Sequence, residues 1–221
     1  MPIRWVFFDV GETLVDETRA WTSWAAWLGV PALTFFGVLG AVIERRQDHL
    51  HAFEMVRPGF DLARERAARE AAGQPVDMLP EDLYPDAGPC LQELKARRYS
   101  VGLAGNQLFR SERWIRELGL PADLVASSES LGAAKPSPAF FERLASKAGV
   151  APADAAYVGD RVDNDVVPAA AAGMLSVFLR RGPWAIVQAE WPEAARADVR
   201  IDTLAELADA IARQGGPGPA S

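Results

Sequence analysis

The sequence predicts an α/β fold, a Rossmann-like parallel sheet flanked by helices with an all-helical domain inserted into it. Three observations predict this. Short apolar runs alternate with helical segments over the second half of the chain, the pattern of a parallel sheet covered on both faces. A long stretch, 16–84, reads as helix throughout and carries no strand signal. The first apolar run, Ile3 to Phe8, ends in Asp9 and can bury its two faces only by joining the sheet further along the chain.

The elements follow in order. Ile3–Phe8 is β-rich and apolar on both faces, a buried parallel strand. Thr18–Leu28 and Ala32–Ala52 are apolar-rich helices broken at Gly29–Pro31, and 61–72 is a charged amphipathic helix closed by Gly73. Tyr99–Ala104, Leu124–Ser127, Ala155–Val158 and Leu175–Leu179 are the next strands, with Val199–Ile201 as an edge strand. Between them stand helices at Pro89–Arg98, Ser111–Leu118, Pro138–Ala148 and Asn164–Ala172, with a last one at Leu204–Arg213. The expected domains are a discontinuous core, 1–15 and 85–214, a helical cap, 16–84, and a disordered tail, 215–221, rich in Gly and Pro.

The chain has 221 residues, of which 49% are hydrophobic, enough for a sizeable core without staples. One cysteine, Cys90, excludes an internal disulfide and suits a reducing, cytoplasmic setting. The net charge of −7 disfavours nucleic acid and anionic membrane surfaces as partners. No basic segment precedes an apolar run at Met1, so no signal peptide is expected. The uncharged stretch Ala20–Ile43 has 24 residues, long enough to span a bilayer. Gly29 and Pro31 interrupt it, and two buried helices are expected instead.

Ligands of open parallel sheets bind beyond the carboxyl ends of the strands. Those ends carry Asp9, then Gly105-Asn106, then Gly159-Asp160 with Asp163 and Asp165 just after. Carboxylates gathered at one edge repel unless a cation neutralises them, and oxygen-only ligands point to a hard ion such as Mg²⁺. Lys135 precedes a helix with Ser137 at its cap and Pro138 at its first position. A lysine beside a carboxylate and a metal suits an anionic group, most naturally phosphate.

Phe7-Phe8-Asp9-Val10-Gly11-Glu12-Thr13-Leu14, Lys135-Pro136-Ser137-Pro138 and Gly159-Asp160-Arg161-Val162-Asp163-Asn164-Asp165 together resemble motifs of the haloacid dehalogenase-like hydrolase superfamily, in its helical-cap, phosphatase-like branch. The resemblance implies that Asp9 is the nucleophile that takes a phosphoryl group. It implies a Mg²⁺ site from Asp9, Asp160 and the Gly11 carbonyl, with Asp165 binding through water or orienting the others. Lys135 would neutralise Asp9 and, with Gly105 and Asn106, bind phosphate. The substrate would be a small phosphorylated metabolite, the protein a monomer or homodimer.

Two positions depart from the family pattern. Gly11 stands where an Asp usually serves as general acid and base, a role worth about 10²–10⁴-fold in rate. Gly105 stands where a Ser or Thr usually donates to phosphate. Two other readings follow: a catalytically impaired phosphate-ligand binding or regulatory protein, and a 2-haloacid dehalogenase. Glu12 as a surrogate acid is disfavoured, because neighbours on an extended chain point apart. His49 and His51, two apart, do not share a helix face and are read as packing or surface residues, like Cys90. Trp21, Trp24 and Trp27 are expected in the cap core, Arg45, Arg46 and Arg57 on a solvated face, and Asp163 in a solvated turn.

Overall fold

Six strands make one wholly parallel sheet among the described residues, 2–108 and 111–214 of this computed structural model. They are β1 (Trp5–Phe8), β2 (Ser100–Gly105), β3 (Leu124–Ser127), β4 (Ala155–Gly159), β5 (Leu175–Leu179) and β6 (Val199–Ile201). Their order is β3-β2-β1-β4-β5-β6, so the first strand in sequence is central in space. Trp5 stands opposite Ser100 on one side and Ala155 on the other. The expected tail, 215–221, lies outside the described residues.

Every strand-to-strand connection in this sheet needs a crossover, and helices supply them. One face is closed by Pro138–Ala148, whose Phe140, Phe141 and Leu144 pack with Phe7, Tyr157 and Ala169 in a fully buried cluster. Burying each such aromatic is worth about 1.5–3 kcal/mol. A second cluster joins Phe178, Val162, Val166 and Ala185. Gly102 is required by packing within the sheet: a Cβ there would sit 2.4 Å from the Phe7 ring.

The chain divides into two compact units, Met1–Asp16 with Leu79–Ser221, and Glu17–Met78. The sheet unit begins again at Leu79, earlier than the expected residue 85, because backbone pairing draws the segment in. Val15 bridges to Leu83, Asp16 N donates to Asp82 O (2.8 Å) and Tyr84 N to Leu14 O (2.9 Å).

The other unit holds helices Thr18–Leu28, Ala32–Glu44, Leu50–Val56 and Leu62–Ala71. The single helix expected over Ala32–Ala52 is two, parted where Arg46 takes a left-handed turn (φ 57°). The two helices of the uncharged stretch meet at 109°, and no single helix among the described residues is long and apolar enough to cross a membrane. They are not buried all round, since Leu33 is 84% exposed. Trp21, Trp24, Phe35, Phe53 and Phe60 stack into the aromatic core of this unit, and His49 packs edge-on to Trp21. The charged helix Leu62–Ala71 departs from its simple amphipathic reading, because Glu65 and Arg69 turn inward. Arg69 donates to Ser23 O (3.0 Å) and Gln74 O (2.9 Å) and lies over the Trp24 ring. Glu65 accepts from Trp27 Nε1 (2.8 Å) and from Arg57 (3.1 Å), so Arg57, its side chain 38% exposed, joins this network from a partly solvated position. The Trp27 hydrogen bond is the main cause of a lowered Glu65 pKa.

Candidate active site

The sheet order reverses at β1, where β2 leaves on one side and β4 on the other. That switch point opens a crevice beyond the strand ends, and Asp9 stands in it. Its backbone N–H donates to Val158 O on β4 (2.9 Å), which extends the pairing one residue past the strand and fixes where the side chain starts.

Three predicted carboxylates converge here. Oxygens of Asp9, Asp160 and Asp165 all lie within 4.8 Å of one another. Lys135 Nζ, with its side chain 1% exposed, stands 2.8 Å from Asp9 Oδ1 and 2.5 Å from Asp165 Oδ1. Burial alone would lower the lysine pKa, but Asp165 and Asp9 outweigh it and hold it well above the ordinary value. The ammonium is therefore charged, and one positive charge faces three potential negative ones.

That imbalance appears in the acids. Asp160, 1% exposed, is pushed well above the usual carboxylate range by burial and then by repulsion from Asp165 and Asp9. Burial also raises Asp165, to about 6, only partly offset by Lys135. Asp160 Oδ1 accepts a long hydrogen bond from Thr13 (3.4 Å), while its Oδ2 is buried with no partner. A buried acceptor without a donor, within a set of carboxylate oxygens that is short of positive charge, fits a hard divalent cation.

The turn after β4 is built around Asp165. Its Oδ2 accepts from Arg161 N (3.0 Å), and Gly159 must be glycine because a Cβ would lie 2.4 Å from Asp165 Cγ. This side-chain bond and the backbone bonds from Asp165 N and Val166 N to Arg161 O widen the start of the expected helix Asn164–Ala172. It is a π-helical turn, Val162–Val166, followed by a short α-helix, Val167–Ala171. Asp163 is half-exposed, but it is not merely solvated: Arg161 grips both its oxygens (3.1 and 2.9 Å) and Gln188 donates to one (3.0 Å).

Lys135 is held differently from the sequence expectation. Ser137 makes no side-chain cap bond, although Pro138 does open the helix. Asn106 fixes Lys135 instead, accepting from its N–H (2.7 Å) and donating to its carbonyl (2.8 Å). The rings of Tyr157 and Phe140 flank the ammonium at 5.3 and 5.9 Å, and the Tyr157 hydroxyl donates to Ala104 O (2.7 Å). Sequence reasoning missed these two aromatics. The available signal was a tyrosine in a buried strand, whose hydroxyl needs a partner nearby.

Gly105 ends β2 against the nucleophile candidate: a Cβ there would be 2.5 Å from Asp9 Oδ1. Gly11 is half-buried and bridges to Val15. The left-handed residue of that turn is Glu12 (φ 52°), 5% exposed. Its Oε2 accepts from the Tyr84 hydroxyl (2.8 Å) and packs on Gly182, where a Cβ would come within 2.4 Å. Arg181 lies over the Tyr84 ring (4.1 Å), donates to Thr13 O (3.0 Å) and pairs with Asp86. Glu12 thus ties the turn down. Cys90 lies apart from this site, 3% exposed, and burial pushes its thiol up to about 12, which leaves it unreactive at neutral pH.

A parallel sheet with carboxylates and a buried lysine at its switch point defines an acid-rich α/β enzyme site. Residues 3–173 match the family model described as haloacid dehalogenase-like hydrolase, and the chain belongs to that family. It is 36% identical over 132 residues to a glyceraldehyde 3-phosphate phosphatase of Methanopyrus kandleri, covering 58% of this chain and 56% of the relative. It is also 36% identical over 134 residues to a phosphoserine phosphatase of Thermus thermophilus, covering 58% and 52%. The chain thus spans about half the length of these curated relatives. A solved 2-haloacid dehalogenase from Pseudomonas syringae shares the fold with a TM-score of 0.59 at 24% identity, over 96% of this chain and 99% of that one.

Proposed function

We propose that the protein is a Mg²⁺-dependent phosphatase that hydrolyses a small phosphorylated metabolite through Asp9. The observation that carries this reading is the buried Asp9–Lys135–Asp165 chain beside an Asp160 oxygen with no partner. Asp9, Asp160, Asp165 and the Gly11 carbonyl would hold the ion, which supplies charge neutralisation between a carboxylate nucleophile and an anionic phosphate. The inserted helical unit would act as a cap that selects the substrate.

Asp9 attacks phosphorus, the ester P–O bond breaks and an aspartyl-phosphate forms. Water then attacks that phosphorus, the bond to Asp9 breaks and orthophosphate leaves. Lys135 stabilises the negative charge on Asp9 and the transferred group, and its cradle of Asn106, Tyr157 and Phe140 keeps it in place throughout. Gly11 offers no side chain to protonate the leaving oxygen, so water takes that part and turnover is slow. The same lack supports a second reading, a phosphate-ligand binding protein with little catalysis.

The test is phosphate release from a panel of phosphorylated metabolites with and without Mg²⁺, alongside halide release from 2-chloropropionate. Mg²⁺-dependent phosphate release is expected. Halide release without metal would overturn the reading in favour of a dehalogenase. Mg²⁺-dependent binding of phosphate esters with no release would favour the binding protein.

A further inference from the structure

We propose that the side-chain amide of Gln107 donates to the substrate's phosphate in the space where Gly105 offers no hydroxyl. The proposal rests on the phosphatase reading above. The Cβ that Gly105 lacks would lie 2.5 Å from Asp9 Oδ1 and 3.7 Å from Gln107 Cδ. The Gln107 amide therefore borders the same space as the nucleophile's carboxylate. An amide nitrogen stands about 1.3 Å from its carbon, so the donor reaches into that space.

Gln107 is free for this and its neighbour is not. Asn106 uses both ends of its side chain on the Lys135 backbone. The Gln107 backbone is pinned: its N–H donates to Gly105 O (2.9 Å), and its carbonyl accepts from Ser128 Oγ (3.1 Å) and Glu129 N (3.4 Å). Its side chain has no comparable task, for Oε1 is buried with no hydrogen-bond partner. A buried amide oxygen without a donor weakens a fold, and it shows that the Gln107 amide is not locked in place by a bond at Oε1; phosphate offers acceptors, so the group that would meet it is Nε2. The terminal torsion of a glutamine is soft, so the amide can turn its Nε2 toward a phosphate oxygen when one arrives. A residue held at the backbone and unspent at its tip is what a binding group requires. A Cβ at 105 would come within 2.5 Å of Asp9 Oδ1, so a side chain there would require the Asp9 carboxylate to shift.

The experiment is calorimetric titration of the full chain with inorganic phosphate in the presence of Mg²⁺, together with thermal melting. Gln107→Met keeps the length and removes the donor. It is expected to weaken phosphate binding at least about tenfold, the worth of one hydrogen bond to a charged group, with a melting temperature equal to or above wild type. Gln107→Glu keeps the shape and adds a negative charge, and should bind more weakly still. If wild type binds phosphate in a Mg²⁺-dependent way and Gln107→Met binds within twofold of it, the Gln107 proposal alone is overturned. So it is if Gln107→Glu binds as tightly as wild type. If wild type binds no phosphate, or Asp160→Asn binds it equally well, the phosphatase reading falls and takes the proposal with it.

Discussion

Asp160→Asn should raise the melting temperature of the metal-free protein and cut its response to Mg²⁺ several-fold. In wild type the carboxylate is desolvated and repelled by Asp165 and Asp9, and one of its oxygens has no partner. Asparagine keeps an acceptor for Thr13 and cannot ionise, so the repulsion from Asp165 and Asp9 is relieved. With the ion the balance reverses. At a Mg²⁺ concentration of about 100 times Kd, a ligand that binds only the native state adds about 2.7 kcal/mol. For a chain of this size that is roughly 5–11 °C. Loss of a charged ligand that weakens binding by about a hundredfold brings the same Mg²⁺ down to Kd. The gain is then about 0.4 kcal/mol, a shift of roughly 1–2 °C. Melting curves of both proteins, in EDTA and in millimolar Mg²⁺, read all four quantities. Equal shifts in the two proteins would remove Asp160 from the metal site. A metal-free Asp160→Asn that melts well below wild type would refute the repulsion account.

Four more outcomes follow from the same geometry. The Mg²⁺ shift should shrink as pH falls from 7.5 to 5: Asp165 in the metal-free fold titrates near 6, above its unfolded value of about 3.9, so its stabilising share is complete below about 4, is lost as pH rises through 6, and opposes the ion at low pH; a shift that grows on acidification contradicts this. Gly159→Ala should cost at least about 2 kcal/mol in urea unfolding and lose Mg²⁺ binding together, since the new Cβ lands 2.4 Å from Asp165 Cγ. Gly11→Asp should raise hydrolysis of a good phosphate ester by on the order of 10²-fold, with Gly11→Ala as the control for fold and metal affinity; a well-folded Asp variant with no gain disproves the missing-acid account. Arg69→Met should cost the helical unit roughly 2–4 kcal/mol, because its partners Ser23 O and Gln74 O lose a charged donor, and unchanged denaturant unfolding of that unit would show the network to be inert.

Much of this was legible in the residues. Runs such as Leu124–Ser127 and Leu175–Leu179 are strands end to end because apolar stretches of that length between turn residues have few other uses in a helix-rich context. Asp9, Lys135, Asp160 and Asp165 could be gathered because parallel strands all deliver their ends to one edge. What stayed hidden depends on contacts that join distant parts of the chain. No local pattern in 161–165 announces that a carboxylate will bond back to Arg161 N and open the helix into a π turn. Nor does Ser137 reveal that Asn106, far away in sequence, holds the lysine in its stead. Glu65 and Arg69 read as surface charges because helix periodicity records which face a residue takes, and the burial of a charge depends on the partners found there. Glu12 was judged on the geometry of an extended chain, whereas the backbone there is left-handed.

The central place of β1 has a consequence for how the protein is made. The strand that leads to Asp9 is synthesised before its neighbours, yet it pairs at Trp5 with Ser100 and with Ala155. At about 5–20 residues per second, it waits on the order of ten seconds for its second partner. Meanwhile the helices of Glu17–Met78 can close on contacts of short sequence separation, which form quickly. The strand that leads to Asp9 is therefore among the last parts of the sheet to be enclosed on both sides. Until β4 arrives, an apolar strand with an open edge is exposed to wrong partners, and substitutions that slow its capture are expected to lower the yield of folded protein before they alter the finished site.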